Sequence, residues 1–480
     1  MAPKILLRTV LLLLLFTCNA CLYLARTNIT VAVIYMFPQS ENIEGDLLSA
    51  FYWGYMVSQI PGGYLASSFG AKRVLGSAVL VWGLSTMVTG FVGTSIPVLF
   101  CLRAFVGVAE GANYPSQMDL ISKWIPHQER SRAWSFVISG ESLGTILALL
   151  GGPYLAHSCG WKSIFWVSGG ASLVWLLLFL LLTTSTPADH PWMTNEELLF
   201  IQETRPPPSS TGRQQQQQEI KRTTPWCEIL TNKRMVVIVC THCCYNFGYY
   251  LCLSWIQKFF SICYHASFQN LGILSILPYL ATFLCLTLAG QLSDWVEVKF
   301  QWSATTVRKI FNTIGMVGSS FFFLLLSFHA PTSLPSSSSQ FSNSSSISIV
   351  PSSSSSLPPA DMKDAEIAAI LLACAIGVGS FAAGAGYWPS LGDLSVEYSS
   401  VVCGVSNSVA SIPGVIGGQL VGHLLVSTGN DWSFIFQMAA GVELVGALIF
   451  LIGGSAEDQK FGQKKTEMER PLVDAVGEFM

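Results

Sequence analysis

The feature that most constrains this chain is a series of apolar runs, each long enough to cross a bilayer. A helix rises about 1.5 Å per residue, so roughly 20 apolar residues span a hydrocarbon layer about 30 Å thick. Such runs lie near residues 9–36, 46–69, 74–94, 97–120, 132–156 and 162–183, and again near 235–260, 267–293, 305–328, 365–391, 400–427 and 431–453. Inside hydrocarbon every backbone N–H and C=O must be paired within the protein, and long continuous apolar runs satisfy this as helices rather than strands. The sequence therefore predicts an all-α membrane protein with twelve transmembrane helices. Charge agrees: 11% of the 480 residues are charged, against about 25% in soluble domains, which excludes an ordinary soluble enzyme. A net charge of −3 leaves no basic surplus for nucleic acid.

The runs divide into two sets of six around a polar stretch. Residues 1–183 are read as a first six-helix bundle and 235–455 as a second. Between them, 184–234 holds Pro206 to Pro208 and Gln214 to Gln218, without the apolar periodicity that builds a core, and is read as a linker. Residues 456–480 form a polar tail. Lys4 and Arg8 ahead of Leu11 to Phe16 resemble a signal peptide, but the apolar stretch continues through Val33 with no small-residue cleavage site, so a first spanning helix is favoured. Lys72, Arg73, Lys123, Arg130, Arg132, Lys299, Arg308 and Lys309 fall on alternate connections, as does the linker. The positive-inside tendency places those connections, and both termini, in the cytoplasm. The opposite connections carry Glu41, Glu44, Asp46 and a Ser-rich insert near 330–360, read as disordered, with a glycosylation acceptor pattern at Asn343-Ser344-Ser345 that a Ser-rich tract also produces by chance.

The halves echo one another. Gly63-Tyr64-Leu65-Ala66-Ser67 after the second run corresponds to Gly290-Gln291-Leu292-Ser293-Asp294 after the eighth. Gly151-Gly152 with Trp161 to Phe165 corresponds to Gly417-Gly418 with Trp432 to Phe436. Landmarks at matching places imply two parallel repeats with a substrate site between them near the membrane midplane.

Ionisable residues in a spanning helix are costly and face a cavity or a partner. Arg26 in the first run and Arg103 in the fourth each offer a planar donor fork to an anion. Glu110 follows Arg103 by seven residues, about two turns and roughly 10 Å along the axis, so both project from nearly the same face. Glu141 is a second carboxylate able to exchange a coupling ion. For Arg103 and Glu110 the alternative is an interhelical clamp, for Arg26 a snorkelling or gating contact, and for Glu141 a static partner to an arginine. Glu443 reads as structural. Asn28, Tyr52, Tyr55, Gln59, His242, Asn246, Tyr249, Tyr250 and Asn407 are polar groups that line a route or pack helices. The CxxC pairs Cys18 to Cys21 and Cys240 to Cys243 lie within spanning runs, which disfavours a metal or redox role. No cofactor is implied, and the chain has no GxxxxGK[ST] loop for an ATP-driven pump.

Together these stretches resemble the major facilitator superfamily, and within it the anion:cation symporter family of sodium-phosphate cotransporters, vesicular glutamate and nucleotide transporters, sialin and plant type 4 phosphate transporters. The resemblance rests on Phe51-Tyr52-Trp53-Gly54-Tyr55 through Gln59-Ile60-Pro61-Gly62-Gly63, on Arg103 through Glu110-Gly111 to Tyr114-Pro115, and on Glu129-Arg130-Ser131-Arg132. Gly160-Trp161 to Phe165, Leu253-Ser254-Trp255, Thr306-Val307-Arg308-Lys309 and Gly404-Val405-Ser406-Asn407 extend it. It implies two six-helix bundles that carry an organic or inorganic anion by alternating access, driven by protons, sodium or membrane potential, in a plasma or endomembrane. It also implies anion-binding roles for Arg26 and Arg103 and a coupling role for Glu110. Asn28, Tyr55, Asn246 and Tyr249 complete the expected substrate site, with Glu141 beside Glu110 in coupling. The chain departs from the family in three places. Asp46 to Tyr64 contains no histidine, whereas vesicular glutamate members use one there. The His-Leu-Asp element before the eleventh run reads Leu391-Gly392-Asp393, and Ser67 stands where the second repeat has Asp294. Competing readings are an uncoupled, channel-like anion uniporter and a non-transporting membrane sensor on the same fold.

Overall fold

The computed structural model describes residues 6–36, 41–126, 129–203, 224–264, 268–330, 359–395, 397–428 and 431–461. The Ser-rich insert with Asn343, the proline and glutamine tracts of the linker, and the tail beyond 461 lie outside the described residues.

All twelve runs are helical. Span one is Leu7–Met36, two Glu41–Phe69, three Ala71–Val92, five Arg130–Cys159, six Lys162–Leu182, seven Lys233–Tyr264, eight Phe268–Phe300, nine Ala304–His329 and twelve Trp432–Gly453. Three spans are each built from two helices: four from Ile96–Glu110 and Asn113–Trp124, ten from Pro359–Ala385 and Tyr387–Leu394, and eleven from Ser399–Ala410 and Ile412–Ser427. Among the described residues eleven spans are long and apolar enough to cross a membrane. Span two, diluted by Gly, Ser, Gln and Tyr, falls short; it packs against spans four and eleven.

The breaks have a local cause. Each is followed closely by a proline, Pro115, Pro389 or Pro413, which lacks the N–H that would continue the hydrogen-bond ladder. At Gly111 in the span-four break a Cβ would collide with Ser58 of span two. Irregular backbone at membrane depth is tolerated where protein buries it or a cavity takes it up.

Close helix approach depends on small residues. Gly140 of span five lies against the Phe16 carbonyl of span one, and Gly107 of span four against the Phe51 carbonyl of span two, with no room for a Cβ at either. Without water to drive apolar association, such approach supplies the van der Waals contact that holds spans together. In the first half span one packs on five and six, two on four, and three on four and six. In the second, seven packs on eleven and twelve, eight on ten, and nine on ten and twelve. Adding six to each span number of the first pattern reproduces the second. The two largest seams between the halves are span two on eleven and span five on eight, and the same operation exchanges them.

Leu7 and Gln459, near the first and last described residues, mark one face. The Leu7 and Arg8 amides donate to Glu197, which closes the open N-terminus of span one, and the Gln459 amide donates to the Leu394 carbonyl. Glu197 belongs to a helix, Asn195–Glu203, that packs with Ile201 buried; Trp226–Thr231 is helical too, with Ile229 buried. Parts of the stretch read as a linker are thus helical and packed: a few apolar residues suffice when a finished bundle supplies the surface that they cover.

Candidate functional site

Arg26 projects from span one into a central cavity of about 70 Å³. Its Nε and Nη2 both donate to Oε2 of Glu110, at 3.0 and 2.9 Å. The carboxylate side chain is fully buried and the guanidinium only 9% exposed. Three rings surround the cation: its central carbon lies 4.8 Å from the Tyr23 centroid, 4.5 Å from Phe51 and 4.8 Å from Tyr55. Ring faces attract a cation most when water is excluded, so the cage and the carboxylate together hold a charge that hydrocarbon alone would reject. Glu110 is the last residue of its helix before the span-four break, and its Oε1 has no partner among the described residues.

The cavity is lined on one side by Tyr23, Arg26, Tyr55, Tyr114 and Glu141 from the first half. The second half contributes His242, Asn246, Tyr249, Tyr250, Tyr387, Trp388 and Asn407. Tyr114 donates to Glu141 Oε1 at 2.6 Å. His242 meets Ser406 Oγ at 3.0 Å through Nδ1 and lies against the rings of Tyr387 and Trp388. Asn246 donates to the Ala410 carbonyl at the span-eleven break. Asn407 donates to the Tyr55 hydroxyl at 2.9 Å across the two halves. The two charge-bearing side chains, Arg26 and Glu141, thus both stand among tyrosines on the first half's wall, and the second half's wall is made of aromatic, amide and imidazole groups.

Of the residues singled out in the sequence, Arg26, Tyr55, Glu141, Asn246 and Tyr249 line this cavity, and Glu110 is paired to Arg26 just behind it. Arg103 and Asn28 do not line it. Arg103 Nη2 donates to Asn28 Oδ1 at 2.9 Å and Nη1 to the Ala25 carbonyl at 3.4 Å, and Asn28 Nδ2 donates to Ser168 Oγ at 2.8 Å. These groups tie spans one, four and six together, 1% exposed at both Arg103 and Asn28. Arg26 thus faces the cavity and Arg103 does not: the fork of Arg103 is turned onto span one rather than toward the seam between halves. Glu443 sits apart from the cavity, against Gly248 of span seven.

Sequence reasoning missed the aromatic cage and the cavity roles of Tyr114, Tyr387 and Trp388. Tyr23 stands three residues before Arg26, a spacing that brings side chains to one helix face; Tyr114 lies beyond the span-four break, on a different helix from Glu110. No local signal points to Tyr387 or Trp388. An amide cluster was also missed: Asn19, Asn113 and Gln117 bond one another between spans one and four, and Asn19 also donates to the Val137 carbonyl of span five.

Below the cavity the face that carries Leu7 and Gln459 is held shut. Asp393 accepts from Arg308 Nε and Nη2, both at 3.2 Å, and stands 3.9 Å from Arg130 Nη1 of the other half. The Arg132 amide donates to Asp294, Ser135 Oγ to the Gly384 carbonyl, and Ser399 Oγ to Ser122 Oγ.

A family model described as Major Facilitator Superfamily matches residues 15–418. A sodium-dependent phosphate transport protein 1 from the chloroplast of Arabidopsis thaliana is 30% identical over 94% of this chain and 80% of its own length. An ascorbate transporter from the same organelle and plant is 29% identical over 94% and 75%. The solved structure of the proton:xylose symporter XylE bound to 6-bromo-6-deoxy-D-glucose superposes with a TM-score of 0.68, covering 93% of this chain and 96% of that one, at 13% identity; that likeness shows the fold.

Proposed function

The chain belongs to the Major Facilitator Superfamily, and within it to the anion:cation symporter family; from that premise we propose that it carries a small organic or inorganic anion across a membrane by alternating access. The two six-span halves, 1–183 and 235–455, rock about the central cavity, with both termini cytoplasmic as the Lys and Arg distribution favours.

The observation that carries the reading is the Arg26–Glu110 pair inside the aromatic cage. With Glu110 ionised, the facing donors of Arg26 are committed to its own carboxylate. A proton on Glu110, for which Oε1 is the unpartnered atom, removes the competing negative charge and releases the guanidinium to an incoming anion. Anion and proton then enter together, because an unpaired cation and an unpaired anion are each costly in so dry a site. Glu141, facing the cavity beside Tyr114, is the second group at which a coupling ion is exchanged. Arg103 and Asn28 set the spacing of spans one and four around Arg26. Asn246, Tyr249 and Asn407 on the opposite wall, together with Tyr55 beside Arg26, select among anions. A proton or anion shifts the balance between outward and inward states only through its different affinity for the two, and the Asp393 network is the set of contacts that one state keeps and the other breaks.

The test uses purified protein in liposomes. Labelled phosphate, ascorbate, glutamate, sialic acid and a nucleotide are supplied under imposed proton, sodium or potential gradients. Accumulation of at least one anion against its concentration, abolished in Arg26→Ala and in Arg103→Ala while both remain folded, is the expected result. Flux that never exceeds equilibration would make the protein an uncoupled uniporter, and ligand binding without flux a sensor.

A further inference from the structure

Glu443 reads as structural in the sequence and takes no part in the anion site, yet its surroundings are not those of a structural ion pair. It lies midway along span twelve and is 2% exposed. Gly248 of span seven leaves its carboxyl the room that a Cβ would fill, and one turn further Gly446 lies as closely against Cys244. The Ser319 hydroxyl of span nine donates to it, and its Oε2 has no partner among the described residues. Among those residues no cation offsets it. Arg234 of span seven and Lys309 of span nine reach the Gly453 and Ile452 carbonyls at the end of span twelve, more than two turns beyond Glu443, and His423 of span eleven is exposed. The titratable groups that face Glu443 are two thiols and a phenol of span seven, Cys244, Cys252 and Tyr245.

An unpaired carboxylate in a dry spanning helix is costly, whereas the same group as an acid needs a hydrogen-bonding partner and no counter-ion. Ser319 supplies that partner. Tyr245 links the acid to the central cavity. It lines the cavity, it precedes Gly248 by one turn and so shares a helix face with it, and its ring and Ser319 both lie against Gly379 of span ten. Tyr245 is also within electrostatic reach of both Glu443 and Glu141.

We propose that Glu443 is a proton-binding site of the second half, separate from Glu110 and Glu141, filled and emptied from the central cavity past Tyr245; its place in a transport cycle rests on the carrier reading above. The step moves one proton. The carboxyl O–H bond breaks, the proton passes by the Tyr245 hydroxyl to water in the opened cavity, and the carboxylate left behind is held by Ser319 until it is protonated again from the other side. Ionised Glu443 favours the state that admits water to it, a difference in affinity of the kind that shifts a two-state equilibrium.

Infrared difference spectra of the full chain in liposomes, recorded as pH is raised and on transfer to D2O, test this. The expected result is a protonated-carboxyl carbonyl band that shifts in D2O, fades as pH rises, is lost in Glu443→Gln and is kept in Glu443→Asp. Its exchange with D2O is several-fold slower in Tyr245→Phe, and fewer protons enter per anion in Glu443→Gln than in the native protein. No band lost in Glu443→Gln, a Glu443 band unchanged with pH wherever the protein stays folded, exchange as fast in Tyr245→Phe, or an unchanged proton-to-anion ratio in Glu443→Gln would each overturn it. The spectra need no flux, so a native protein that takes up no anion sinks the carrier reading, while a static band sinks the proton site.

Discussion

Arg26 and Glu110 are 84 residues apart and opposite in charge, and the two ways of breaking the pair are not equivalent. Arg26→Ala leaves a buried carboxylate without its cation, a loss of about 3–5 kcal/mol in comparable buried pairs. It is therefore expected to abolish uptake and to lower the melting temperature. Glu110→Gln keeps shape and hydrogen-bonding capacity while removing the charge. Anion binding should survive, and dependence of uptake on a proton gradient should disappear; a persisting proton dependence in that variant would remove Glu110 from coupling. Arg26→Lys should not restore activity, since an ammonium offers neither the planar fork nor the flat face against three rings. The amide cluster makes a prediction of a different kind: Asn19→Ala leaves Asn113 and Gln117 with unmet donors and acceptors, and about 1–3 kcal/mol of stability should be lost for each stranded group, read as a lower melting temperature with substrate affinity unchanged. Both charges were legible in the sequence, because an ionisable residue in a hydrocarbon run announces itself. Their pairing was not, and neither was the inward turn of Arg103, since each depends on how two spans distant in sequence approach.

At the scale of elements, the breaks in spans four, ten and eleven place the ends of helices beside functional groups. Glu110 ends one helix, Tyr387 begins another, and the Ala410 carbonyl that Asn246 engages ends a third. The prolines were visible in the sequence, yet Pro61, Pro153 and Pro278 lie inside continuous helices, so proline alone did not say which spans would break. Packing of spans one and five is set by contacts that tolerate no added atom. Gly140→Val should push span five off the Phe16 carbonyl and yield a protein that loses its monodisperse peak in size-exclusion chromatography, whereas the same change at Gly170, where nothing lies within 4 Å, should be neutral. The helix at Asn195–Glu203 was unreadable for a related reason: it has too little apolar surface of its own and folds on a surface that the first bundle provides.

For the whole molecule, the repeated packing pattern means that one seam, two on eleven, is the counterpart of the other, five on eight, and that both must open if the halves rock. Ser122 and Ser399 face each other with oxygens 3.3 Å apart at the closed end. A Ser122→Cys/Ser399→Cys protein, cross-linked by oxidation and verified by mass spectrometry, should bind anion but not transport it, and reductant should restore flux. Continued transport by the cross-linked form would show that this face does not open during the cycle.

The number of spans, their helical nature, the two-fold repetition and the identity of the costly charges were determined by the sequence itself, because each is a property of a window of about twenty residues meeting hydrocarbon. Which charges pair, which guanidinium reaches the cavity and which tyrosines surround it were decided only when spans one, two, four, seven and ten closed around a common centre. Electrostatic and ring contacts act over a few ångströms, and the chain brings groups that near only by packing segments that lie far apart along it.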